Sequence, residues 1–144
     1  MDFTKEDLKA KFKAFNKMYF NSELRMPSGF TIQKMNLAAG IINISKKAHV
    51  TITISKCFDY NEETLNEVLI HEMIHYYLFV KGSKNAFKHK KEFVEQCDRL
   101  LRDFGLHIHT NAKHIKIYDV YKPKQTKIEK FISLLVKPFM KIFS

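Results

Sequence analysis

The amino-acid sequence predicts an α+β fold in which a short, mostly antiparallel sheet of three to four strands packs against three helices. Three segments carry apolar residues at three- and four-residue spacing, which is typical of helices with a buried face. Between the first and the second of these segments, shorter apolar runs are separated by turn-forming residues, as in strands. The chain has 144 residues, 45% of them hydrophobic, which is enough for one domain with its own core.

The first helix is predicted to begin at Thr4 and to end near residue 20. Thr4 is a suitable N-cap, and Asp7 lies three positions later, where it can complete a capping box. Pro27, Ser28 and Gly29 then break the chain. The apolar residues at helical spacing are Leu8, Phe12, Phe15, Met18 and Tyr19.

Three strands are predicted over residues 30–37, 40–45 and 49–55, and residues 45–48 are expected to connect the last two as a hairpin. The third strand alternates strictly between apolar and polar residues, which predicts one face against the core. A fourth strand is expected at 115–120, after the helices.

The second and third helices are predicted at 61–80 and 86–104. Asn61 is a good N-cap for the second helix. Gly82 and Gly105 stand where glycine commonly ends a helix. Because the second helix is apolar on most of its sides, it is expected to lie buried at the centre of the domain.

The second helix contains the motif His71-Glu72-Met73-Ile74-His75. Residues four apart lie on one face of a helix, so His71 and His75 can direct two imidazoles at one metal ion. Glu72 lies beside them, where it can act on a water bound to that metal. This pattern is typical of zinc metallopeptidases. The alternative is a pair of histidines hydrogen-bonded within the core.

A catalytic zinc usually takes three protein ligands, and His89 is the best candidate for the third. It precedes Phe93 by four residues and is expected on the core-facing stripe of the third helix. Alternatively, His89 belongs to the solvated basic run around it. Weaker candidates are the pair His107 and His109, the acids Glu92 and Glu95, and the isolated His49 and His114.

The net charge of the chain is +10, and its excess of lysine is unevenly placed. Residues 110–144 carry eight lysines against two acids, and residues 81–91 carry no acid at all. Such a field attracts polyanions, nucleic acid first among them, unless it is only a solvated surface. Because lysine predominates over arginine, any binding is expected to be independent of sequence. The lysines beside the third histidine are Lys81, Lys84, Lys88, Lys90 and Lys91.

Residues 123–144 are predicted to form a basic amphipathic tail, helical and interrupted at Pro138. The tail is expected to pack on the domain, and the alternatives are a membrane surface, a partner or nucleic acid. The first residues show no apolar core typical of a signal sequence, no apolar run approaches membrane-spanning length, and the chain has two cysteines. We therefore expect a cytoplasmic protein without a disulfide framework.

Three blocks of the chain resemble the SprT-like, or Spartan-type, zinc metallopeptidase domain. They are residues 15–27, residues 51–55 followed by 65–80, and the segment from His89 to Phe93, within a span of about 11–104. Two differences stand out. Lysines flank His89 where the family often has glycines, and two distant cysteines exclude the zinc ribbon that ends many relatives.

The resemblance implies a zincin-like domain over residues 1–122 that hydrolyses peptide bonds in proteins, DNA-associated proteins among them. It implies zinc as the cofactor, held by His71, His75 and His89, with a metal-activated water and Glu72 as general base. Two other functions stay open: a zinc-stabilised nucleic-acid-binding domain without catalysis, and a membrane-surface protein recruited by its tail. Glu72 favours the enzyme, because a structural zinc site does not require that carboxylate.

Overall fold

The computed structural model describes residues 1–122 and shows an α+β fold, as predicted. The predicted tail at 123–144 lies outside the described residues. The elements, in chain order, are α1 (Lys5–Tyr19), β1 (Gly29–Gln33), β2 (Gly40–Ile44), β3 (Val50–Ser55), α2 (Glu62–Val80) and α3 (Lys91–Phe104), followed by a short 3₁₀ turn, Asp119–Tyr121.

The three strands form one sheet in the order β1-β3-β2, so β3 is central. The predicted hairpin is present, with β2 antiparallel to β3, whereas β1 runs parallel to β3. The sheet is therefore mixed. Strand β3 is buried on both faces, because Thr53 and Ser55 are as enclosed as Ile52 and Ile54. A strand covered on both faces belongs in the middle of a sheet.

The predicted fourth strand is reduced to one bridge, between Phe58 and Ile117. Two hydrogen bonds hold the segment, from the Asp59 N–H to the Lys116 carbonyl at 2.7 Å and from the Tyr118 N–H to the Cys57 carbonyl at 2.9 Å. The chain then turns into the 3₁₀ segment. The strand expected at 115–120 is thus replaced by one bridge with its two hydrogen bonds, which closes the loop after α3.

Helix α2 begins with a capping box in which the Asn61 side chain accepts from the Thr64 N–H and the Thr64 hydroxyl oxygen accepts from the Asn61 N–H. The helix ends at Val80, and Gly82, two residues later, has a φ of +78° that allows the chain to turn away. The helix contacts the sheet, α1 and α3, and eleven of its residues are buried. It is the central helix, as predicted.

Helix α3 begins at Lys91, later than the predicted residue 86, so His89 lies in the turn before the helix. The reason lies in Ala86. Its carbonyl accepts a hydrogen bond from the ring of His75 instead of entering a helical ladder. Within residues 1–122, no helix has the length and apolar content needed to cross a membrane.

Candidate metal centre

Three imidazoles converge at the junction of α2 and the turn before α3. The Nε2 atom of His75 lies 3.2 Å from that of His71 and 3.2 Å from that of His89, and the Nε2 atoms of His71 and His89 are 3.0 Å apart. A tetrahedral zinc with Zn–N bonds of about 2.0–2.1 Å holds its nitrogen ligands about 3.3 Å apart. The triangle of nitrogens therefore fits one zinc ion.

Backbone carbonyls fix the orientation of two of these rings. Nδ1 of His71 donates to the carbonyl of His109 at 2.9 Å, and Nδ1 of His75 donates to the carbonyl of Ala86 at 2.8 Å. A carbonyl can only accept, so each Nδ1 carries the proton and each Nε2 keeps a free lone pair. Metal-binding histidines generally donate the N–H of their second ring nitrogen to a partner of this kind.

Phe93 packs against all three rings and forms the floor of the site. Its ring centroid lies 4.8 Å from each of the centroids of His71, His75 and His89, and the side chain is fully buried. This contact explains the spacing from His89 to Phe93, because the first turn of α3 brings Phe93 beneath the imidazole four residues before it.

The surroundings keep the three imidazoles neutral. Burial, together with the neighbouring rings of His75 and His89, lowers the pKa of His71 to about 4, although the hydrogen bond to the His109 carbonyl opposes this shift. Burial also lowers the pKa of His75 and of His89. Neutral imidazole is the form that binds a metal ion, so the site needs no deprotonation step near pH 7.

Glu72 lies beside the three imidazoles and is almost fully buried. Its Oε1 is 4.0 Å from Nε2 of His71, and its side chain is 6% exposed. Burial raises the pKa of the Glu72 carboxyl to about 8. Within residues 1–122, no group donates a hydrogen bond to it. A nearby cation would favour its ionised form, because positive charge stabilises a carboxylate.

Gly40, the first residue of β2, lies close to this carboxylate. A Cβ atom at Gly40 would lie 3.0 Å from Cγ and from Oε1 of Glu72, and 3.0 Å from Val68. Glycine therefore lets strand β2 approach the site closely enough to hold the Glu72 side chain in place.

His71, Glu72 and His89 face a cavity between two parts of the chain. Residues 37–40 form one wall and residues 109–114 the other. Leu37 stands at this site with 97% of its surface exposed. The cavity gives an extended ligand access to the three imidazoles and to Glu72.

A second cluster lines the same cavity, formed by Glu67, His109 and His114. Oε1 of Glu67 accepts from the backbone N–H of His109 at 2.8 Å and from its Nδ1 at 2.5 Å. Oε2 accepts from Nε2 of His114 at 2.9 Å. Burial alone would raise the pKa of Glu67, but these hydrogen bonds lower it below its usual range.

Sequence reasoning missed Glu67 and did not connect it with His109 and His114. The available signal was its position four residues before His71, which puts both side chains on one face of α2. The His-x-His pair does not chelate with the central three. The ring of His107 only stacks on that of His109, with centroids 4.5 Å apart.

The acidic alternatives lie apart from the three imidazoles. The carboxylate of Glu92 lies 3.4–3.5 Å from the Asn85 amide nitrogen, and that of Glu95 lies 3.9 Å from Lys91 Nζ. In the part of the chain that the structure describes, the group of side chains around the ion position contains the three histidines and no fourth ligand.

The lysines of the turn before α3 differ in whether an acidic side chain pairs with them. Lys81 Nζ lies 3.0 Å from Glu23 Oε2 and 5.3 Å from the centroid of the Tyr77 ring. Lys84, Lys88 and Lys90 are exposed and form no ion pair within residues 1–122.

Replacing His89 by alanine should weaken zinc binding by at least tenfold, because the metal keeps only two protein ligands. Competition against a chromophoric chelator measures the affinity. His49→Ala is the matched control, since His49 is exposed in the β2–β3 hairpin and should leave the affinity unchanged. Equal affinities for the two variants would remove His89 from the ligand set.

Substituting alanine for Gly40 should displace the Glu72 carboxylate while leaving the three imidazoles in place. Zinc affinity should stay within a few-fold, and any hydrolytic rate should fall tenfold or more, as is common when a reacting group shifts. Gly29→Ala is the control, because a Cβ there has nothing within 4 Å. A Gly40 variant with the rate of the Gly29 variant would contradict this role for β2.

The comparison with known protein families matches this chain to the SprT-like family over residues 8–114. The match spans most of the described domain and extends past α3 through His109 and His114. No curated protein and no solved structure matches the chain. The match confirms the resemblance found in the sequence, and the chain belongs to the SprT-like family.

Proposed function

We propose that the protein is a zinc-dependent metallopeptidase that hydrolyses peptide bonds in protein substrates. The convergence of three neutral imidazoles beside a buried carboxylate supports this best. The ionised form of Glu72 is costly where it lies, because burial disfavours a charged carboxylate and raises its pKa to about 8. Catalysis gives a reason to keep it. A structural zinc is usually closed by four protein ligands, and three are found within residues 1–122.

Zinc, when bound, supplies a Lewis acid that activates water and polarises a peptide carbonyl. The Glu72 carboxylate removes a proton from the attacking water as the new C–O bond forms. It returns the proton to the leaving nitrogen as the C–N bond breaks. The Nδ1 protons of His71 and His75 are held by backbone carbonyls, so these rings do not compete for the transferred proton.

We further propose that the substrate binds as an extended segment along β2. This strand lies at one edge of the sheet, and its first residue, Gly40, is the one that touches Glu72. A free strand edge binds a peptide through backbone hydrogen bonds, with little selection among side chains. The cavity wall at residues 37–40 leads directly into that edge.

Glu72→Gln should keep zinc bound and lower hydrolysis of a protein substrate such as casein by about 100-fold or more, since general-base contributions have that size. The amide preserves the shape of the side chain but cannot take the proton. Rates are measured at equal zinc occupancy, with Glu95→Gln on α3 as control for the loss of one acid. Normal cleavage by Glu72→Gln would exclude Glu72 as the base.

We also propose that Lys84, Lys88, Lys90 and Lys91 contact the backbone of a nucleic acid and bring the enzyme to DNA-associated proteins. These residues surround His89, so a polyanion bound there would lie beside the metal centre. Lys81 contributes less, because Glu23 already neutralises it.

A domain that binds zinc and DNA but cleaves nothing is the competing possibility. A zinc-loaded wild type that does not cleave DNA-bound protein would favour it.

A triple change of Lys84, Lys88 and Lys90 to glutamine should weaken binding to a labelled DNA oligonucleotide. The slope of log affinity against log salt should become less steep by about 0.9 for each lost contact with duplex phosphates. The control changes the exposed Lys5, Lys9 and Lys13 of α1 in the same way. Equal effects of the two triple variants would show that net charge, not this surface, governs binding.

A further inference from the structure

Glu67 is the most completely hydrogen-bonded carboxylate among the described residues, although it holds no place in the proposed reaction. Its two oxygens accept three N–H groups, two from His109 and one from His114. Its side chain is only 10% exposed. A buried carboxylate with this many donors is rigidly held, and it holds its donors equally rigidly.

Side chains of α2 form hydrogen bonds with both backbone polar groups of His109. The backbone N–H of His109 donates to Glu67, and the carbonyl of His109 accepts from Nδ1 of His71. Glu67 and His71 are one turn apart on the same face of α2, so this face binds both the backbone nitrogen and the backbone oxygen of His109. The loop after α3 therefore cannot shift without losing the contact that orients the His71 ring.

We propose that Glu67 is a positioning residue for the metal centre, which fixes the ring orientation and tautomer of His71 through the backbone of His109. This inference rests on the proposed zinc site. The carbonyl of His109 requires the proton of His71 on Nδ1, and this leaves Nε2 free to bind the metal. Glu67 keeps that carbonyl in place.

The same three side chains offer a different possibility, a second metal site. Their geometry favours hydrogen bonding. The carboxylate oxygens are already occupied by N–H donors, and the rings of His109 and His114 stack with centroids 3.8 Å apart. Both rings direct a nitrogen at Glu67 within hydrogen-bonding distance, so the carboxylate itself stands where these nitrogens point.

Three substitutions separate positioning from simple charge. Glu67→Gln removes the charge but keeps the length and one carbonyl acceptor for both donors of His109. Glu67→Asp keeps the charge but is too short to hold residue 109 and contact α2 in the same place. Glu67→Ala removes both. Glu63→Gln, an exposed acid one turn earlier on α2, controls for loss of charge.

The first measurement is zinc affinity by chelator competition. Positioning predicts a loss of about tenfold or more for Glu67→Ala and Glu67→Asp, the usual effect of removing a partner behind a metal ligand. It predicts a change within a few-fold for Glu67→Gln and none for Glu63→Gln. Normal affinity in Glu67→Asp together with a large loss in Glu67→Gln would overturn it in favour of charge. The positioning role would also be overturned if the wild type bound a second equivalent of zinc and His114→Ala lost it.

The second measurement needs no metal. Long-range ¹H–¹⁵N correlation of the metal-free protein reports which nitrogen of His71 carries the proton. The Nδ1–H form should dominate in the wild type and in Glu67→Gln, and should give way to a mixture in Glu67→Ala. An unchanged tautomer in Glu67→Ala would overturn the inference. Failure of the wild type to bind zinc, with the tautomer responding as expected, would instead contradict the proposed function and leave the positioning of His71 supported.

Discussion

Two hydrogen bonds, from Nδ1 of His71 and Nδ1 of His75 to backbone carbonyls, determine where much of the chain must lie. The first brings the loop after α3 across α2 at His109, and the second brings the turn before α3 back at Ala86. Without them each ring could turn or change tautomer, and the three Nε2 atoms would not share one point. The late start of α3 accompanies the second of these bonds, whereas the loop after α3 is held at His109 both by the first bond and by Glu67.

Two carboxylates on α2 show how the fold treats buried charge in opposite ways. Glu67 receives three N–H donors, and its pKa lies below the usual range despite its burial. Glu72, five residues later, receives none within residues 1–122, and burial raises its pKa to about 8. A carboxylate that is fully hydrogen-bonded is suited to holding other groups in place, whereas one without donors is suited to exchanging a proton. Their surroundings thus suit the positioning role proposed for Glu67 and the chemical role proposed for Glu72.

Local signals in the sequence predicted much of this domain. The capping box at Thr4, the N-cap at Asn61, the glycine just after α2 and the β2–β3 hairpin are short-range features, and the structure has them all. The histidine pair on α2 follows from helical periodicity alone. His89 was predicted from its spacing to Phe93, and the structure brings it to the pair, although from a turn and not from a helix.

Features that depend on distant contacts could not be predicted in this way. The parallel pairing of β1 with β3, and the reduction of the expected fourth strand to one bridge, depend on how the segments meet in three dimensions. The Glu67 cluster joins residues more than forty positions apart, and neither end shows a pattern that identifies its partner. Gly40 is similar, because its small size has meaning only once β2 lies against Glu72.

The most direct test of this account is zinc K-edge X-ray absorption of the protein loaded with one equivalent of zinc. The account predicts three imidazole nitrogens at about 2.0–2.1 Å and one further oxygen or nitrogen ligand, without sulfur. Sulfur scattering at about 2.3 Å, or a spectrum that requires fewer than three imidazoles, would contradict a centre built from His71, His75 and His89.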